Sequence, residues 1–116
     1  MVNDKYYEGY ESEPQIRFES GASELIIWEG YIYTLMENMF DQGLKILADY
    51  YSSDDDSWEI IDLKEAITQF DLFDLNRLDS EKIAHISSFL PDIAKEIVKF
   101  LIKAQMQNQK VHISKD

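Results

Sequence analysis

Four residues near the middle of the chain have the spacing of a calcium loop. Asp54, Asp56, Ile61 and Glu65 would take its first, third, eighth and twelfth positions, between two helical patterns. The strict positions do not fit. Trp58 stands where an oxygen ligand is required, and Glu59 where the sharp turn needs glycine. No metal site is assigned. Catalysis has as little to work with. The two histidines, His85 and His112, are far apart in sequence, and the glycines at 9, 21, 30 and 43 form no phosphate-cradling loop. Carboxylate pairs carry no information in a chain with 23 acids. With nucleophile, base and cofactor motif all lacking, the residues point away from an enzyme and from any cofactor.

What remains is recognition. In "ADYYSSDDDSWEII", residues 48–61, Tyr50, Tyr51 and Trp58 bracket Asp54, Asp55 and Asp56, with Glu59 following. Aromatic rings are favoured interface anchors, and clustered carboxylates pair with Arg and Lys forks. Carboxylates and rings together can also stand in for phosphates and bases in a nucleic-acid groove. The plainer reading is a solvated inter-helix loop with Trp58 and Tyr51 turned inward. Net charge and the tyrosine–glutamate arm favour the interface. The chain carries −12, a field that repels DNA, RNA and anionic lipid and speeds encounter with a basic protein. Residues 1–79 hold 19 acids against 5 bases, whereas residues 80–116 hold 4 against 6. The expected contact set is therefore Tyr50, Tyr51, Asp54, Asp55, Asp56, Trp58 and Glu59. Lys95, Lys99 and Lys103 recur every four residues and read as a solvated helix face.

The elements expected to position this segment are helical. At 116 residues, 45% of them hydrophobic, the chain makes one small domain. Residues 1–20 read as an irregular arm in which Tyr6, Tyr7 and Tyr10 alternate with Glu8, Glu11 and Glu13, with "QIRFES" able to form a short extended piece. Residues 21–105 read as an all-α bundle of four to five helices. Leu25, Trp28, Ile32, Leu35, Met39, Leu44, Leu47 and Tyr51 follow one helical rhythm, which predicts either one long helix continuing through Gly43 or two helices meeting near "FDQG", the single helix being favoured. Asp62 and Glu65 have the spacing of a capping box. "DLFDLNRLD" reads as a short turn or linker, and Asp79 or Ser80 opens a further helix. Pro91 suits the first turn of the last helix, whose buried face is Ile93, Ile97, Phe100, Leu101 and Ala104. Residues 106–116 read as a polar, fraying tail. Cysteine is absent, which excludes disulfides. No apolar run approaches the roughly 18 residues of a membrane span, and the first residues lack a signal peptide's apolar core. The cytoplasm is the expected location.

"DYYSSDDDSWE" resembles the exposed tyrosine pair followed by acids of the colicin-nuclease immunity proteins. Those are small, acidic, four-helix cytosolic proteins that bind and block a basic nuclease toxin. Size, charge and helical content are also similar to immunity proteins of contact-dependent growth inhibition systems. The resemblance implies partner contacts at Tyr50, Tyr51, Asp54, Asp55, Asp56 and Glu59. Where the colicin group has prolines, this chain has Ser52 and Trp58. The function expected is neutralisation of a cognate toxin, most directly a basic nuclease whose substrate groove is occluded, without direct nucleic-acid or membrane binding. Two alternatives stand beside it. One is a helical adaptor using the Leu25–Tyr51 face to pair with a partner helix. The other is a phage-type acidic mimic of nucleic acid that inhibits a restriction or CRISPR enzyme.

Overall fold

In "QIRFESGASELIIW" the apolar residues Ile16, Phe18, Leu25 and Ile27 alternate with polar or less buried neighbours, and the run folds as a β-hairpin. Strand β2 (Gln15–Ser20) pairs antiparallel with β3 (Ser23–Trp28). Gly21, at φ 57, opens the two-residue turn with the positive φ that a II′ turn needs at its first position. The computed structural model describes residues 2–73 and 89–115. Its architecture is mixed α/β, which overturns the all-α bundle expected from periodicity.

Five strands form one sheet in the order β1-β3-β2-β5-β4. β1 (Val2–Tyr6) runs parallel to β3, and β5 (His112–Lys115) lies antiparallel between β2 and β4 (Ser57–Glu59). The segment expected to be an irregular arm therefore supplies two strands, and the expected fraying tail supplies an interior one. Val111 and Ile113 are fully buried, and Ile60 N–H donates to the Val111 carbonyl at 2.9 Å. Burial of that apolar pair against the hairpin holds the segment in place.

The single long helix favoured from Ser23 to Tyr51 is three elements, and two helices do meet near "FDQG". β3 ends at Trp28, α1 spans Glu29–Asp41, and α2 spans Ile46–Ser52. Helix α1 stops because Gly43 takes φ 81. Its N–H donates to the Phe40 carbonyl at 2.9 Å while Leu44 N–H reaches the Met39 carbonyl at 2.9 Å. Those two bonds are the Schellman pattern of a helix end. Among the described residues an added Cβ at Gly43 would meet nothing within 4 Å, so the cost of substitution is backbone strain. Gly43→Ala is expected to lower stability by about 1 kcal/mol, read as a shifted urea midpoint with unchanged slope. An unshifted midpoint would remove the helix stop.

Two helices match their sequence signals. Helix α3 (Leu63–Leu72) starts where the Asp62 carboxylate accepts from Glu65 N–H at 3.0 Å, satisfying one orphan donor of the first turn. Helix α4 (Leu90–Met106) carries Pro91 in its first turn and buries Ile93, Ile97, Leu101 and Ala104, with Phe100 half-buried and Lys95, Lys99 and Lys103 exposed. The linker expected beyond Phe73, the helix expected from Asp79 or Ser80, and His85 lie outside the described residues. Leu25, Ile32, Leu35, Met39 and Leu47 are all in the core, so the Leu25–Tyr51 run presents no continuous apolar helix face. No helix among the described residues is long and apolar enough to cross a membrane.

Candidate functional site

Strand directions fix what meets at one end of the sheet. β1 and β3 finish there at Tyr6 and Trp28, β2 starts there at Gln15, β5 finishes at Lys115, and β4 starts at Ser57. Two connections therefore project from the same end: residues 7–14, joining β1 to β2, and residues 53–56, leading into β4. The first carries Glu8, Glu11 and Glu13 and the second Asp54, Asp55 and Asp56, all six exposed. Neither connection contains a Lys or Arg. The tyrosine–glutamate arm and the aspartate run, separate in sequence, share one rim.

The first loop is held by its own bonds. The Tyr7 hydroxyl donates to the Glu13 carbonyl at 2.5 Å, and Gly9 N–H donates to the Glu11 carboxylate at 3.1 Å. That Gly9 bond holds the Glu11 carboxyl below its ordinary range. Beside the loop, Tyr10 stacks on Trp28 with ring centroids 4.0 Å apart, and Tyr31 meets the Trp28 ring edge-on at 5.0 Å. The Trp28 ring also lies over Gly30, where an added Cβ would clash with the indole.

The second loop borders a depression of about 530 Å³ lined by Tyr50, Tyr51, Ser53, Asp55, Asp56 and Lys115. Helix α2 ends at Ser52, and Asp55 N–H donates to the Ser53 hydroxyl at 3.0 Å, turning the aspartates outward. The aromatic floor is contiguous: Tyr50 lies 5.2 Å from Tyr51 and 6.0 Å from Trp58, and Tyr33 meets Tyr51 edge-on at 5.7 Å. Glu29, in the first turn of α1, forms an ion pair with Lys115, Nζ to Oε2 being 2.7 Å. A carboxylate there also suits the positive end of the helix dipole.

The seven residues expected to form the site are not equivalent. Asp54, Asp55 and Asp56 are exposed, as a contact role requires. Tyr50 is only 7% exposed and is mainly a core residue. Trp58 is half-buried in β4, paired with Ile113, and braces the core edge. Glu59 sits at the other end of β4 and turns to Lys110 at 3.9 Å and His112 at 3.8 Å, away from the aspartates. Ser57 and Trp58 are in a strand, so the Asp54–Glu65 stretch does not follow a calcium loop. Among the described residues no group of three or more His, Asp or Glu is placed to hold a metal ion. Lys115, Glu29 and the Tyr10–Trp28 stack carry no sequence signal linking them to residues 48–61, because strand register alone brings them there.

The Tyr51 hydroxyl is buried and takes no hydrogen bond among the described residues. Burial pushes its pKa up, and the nearby Glu29 carboxylate adds to the rise. An unsatisfied buried hydroxyl costs stability. Tyr51→Phe is therefore expected to stabilise the isolated protein by about 1 kcal/mol, measured by urea unfolding. Equal destabilisation would mean that the hydroxyl has a partner.

Tyr6, Tyr31, Tyr50 and Tyr51 are all raised above the ordinary 10.0, with burial the leading cause in each and Tyr31 reaching about 12. In the unfolded chain these phenols ionise first, while in the fold they keep their protons. Their contribution to stability is thus complete below about pH 10 and lost as pH rises from there toward 12. A urea midpoint that stays flat across that alkaline range would contradict the burial of these hydroxyls. Comparison with protein-family models, curated proteins and solved structures returned no match.

Proposed function

We propose that this protein is a cytoplasmic immunity protein that binds and neutralises a cognate bacterial toxin, a basic nuclease domain, by covering its substrate groove. One observation carries the reading: six exposed carboxylates on two loops stand at a single end of the sheet, with aromatic rings between and beneath them. In this reading the carboxylates of Glu8, Glu11, Glu13 and Asp54 to Asp56 meet Arg and Lys side chains that would otherwise hold phosphates. Tyr51 and Tyr10 supply apolar contact at the rim, while Tyr50 and Trp58 keep the depression in shape. The inhibitor acts as a plug and performs no chemistry of its own.

The test is capture from the native host on immobilised full-length protein, with elution by a salt gradient. The expected result is a basic protein whose nuclease activity is silent in the complex and returns on separation. Retention of an acidic or helical partner with no activity to restore would overturn the reading.

A further inference from the structure

On the β1 side of the acidic end lies a second cavity, of about 370 Å³, separate from the aspartate depression. Its walls are Tyr6, Tyr10, Tyr31 and Phe89, and its rim carries Glu8, Asp92 and Lys5. Tyr10 and Tyr31 meet at 80° with centroids 5.8 Å apart, and Phe89 lies 5.6 Å from Tyr31, so the rings form a corner rather than a stack. Tyr6 and Tyr31 are 7% and 6% exposed, which fixes both rings in place. The chain's own cation already samples this environment: Lys5 Nζ lies 5.5 Å from the Tyr6 ring centroid.

Aromatic walls with carboxylates at the mouth favour one ligand chemistry, an organic cation. Ring quadrupoles attract it through their faces, and the carboxylates bind its N–H groups. A neutral apolar group would leave Glu8 and Asp92 unpaired, and an anion would be repelled by both. Among the described residues, Lys5 offers one positive charge against the two carboxylates, so the cavity still favours a second cation.

We propose that this aromatic cage receives an arginine or lysine side chain of the basic partner, as an anchor distinct from residues 48–61. The assignment of the cation to a partner rests on the immunity reading; the cation chemistry of the cage does not. An anchor here would fix the orientation of a partner that the aspartates attract from a distance.

The test uses the isotope-labelled full chain and two probes, tetramethylammonium chloride and N-acetyl-arginine methylamide, against sodium chloride at equal ionic strength. Saturable amide shifts at Tyr6, Tyr31 and Phe89 are expected with the probes and not with sodium. Glu8→Gln with Asp92→Asn should weaken probe binding about fivefold, and Lys5→Met should tighten it about twofold, within the range of a partly desolvated cation–π contact. Shifts that follow sodium equally, or that spread over Asp54 to Asp56, would overturn the cage whatever the partner proves to be. The same double variant is then assayed against the captured nuclease, where about tenfold faster dissociation is expected for loss of a charge-assisted anchor. Wild-type dissociation together with saturable probe binding would overturn the partner assignment and leave a site for a free cation. A cage that binds the probes in a protein that neutralises no nuclease would sink the immunity reading alone.

Discussion

Removal of residues 110–116 is expected to abolish cooperative folding. Strand β5 is interior to the sheet, so its loss strips β2 of one partner and β4 of its sheet neighbour. It also removes Val111 and Ile113, both fully buried. Ile113→Ala alone is expected to cost about 2–5 kcal/mol through lost burial and the cavity left behind. Small domains hold only about 5–15 kcal/mol in total, so deleting both side chains and a strand's worth of hydrogen bonds should exceed the reserve. The measurement is near-UV circular dichroism with thermal unfolding of the chain ending at Gln109. A sharp transition near the full-length midpoint would refute the central place of β5, whereas the point variant should melt earlier yet remain folded.

Replacing Glu8, Glu11 and Glu13 with Gln and Asp54, Asp55 and Asp56 with Asn is expected to slow association with the captured nuclease by at least about tenfold at low salt, the lower end of electrostatic steering. All six side chains are exposed, so their neutral isosteres should leave the fold unchanged. Dissociation should change less, because exposed charges act mainly on encounter and the cage keeps Asp92 in this variant. Added salt should slow the wild type toward the variant, since charges on a solvated rim are screened over about 8–10 Å. Each loop changed alone should give an intermediate rate, because both project from the same end of the sheet. If association were as fast in the six-fold variant as in wild type, across the salt range, the acidic rim would have no part in recognition.

The sequence signals that held are local ones. Asp62 caps α3 because its carboxylate needs only the N–H three residues on. Pro91 and the apolar spacing of α4 likewise describe a single turn and a single face. The aspartate run is exposed because like charges are stable only in water. The sheet was hidden because its information is non-local. Phe18 pairs with Ile113, and Arg17 with Ser114, across nearly the whole chain, and β4 and β5 are too short to show a period.

The helix expected from Ser23 failed for a different reason. Leu25, Trp28 and Ile32 satisfy a three-and-four spacing, but Leu25 and Ile27 also alternate along a strand, and the β-branched Ile26–Ile27 pair favours the latter. Tyr50 is expected as an anchor, but α2 turns it into the core, where it is buried. Glu59 is adjacent in sequence to the acidic run, yet β4 carries it to the opposite end of the sheet.

The position of β5 also sets an order on folding. The β2–β3 hairpin closes through a two-residue turn and can form early, since little chain entropy is lost in closing so short a loop. Strand β4 lies at the sheet edge and pairs there with β5. Contacts that span so much of the chain form slowly. The aspartate loop, which leads into β4, is therefore expected among the last surfaces to acquire its shape, and in the immunity reading a refolding chain would gain its binding surface late.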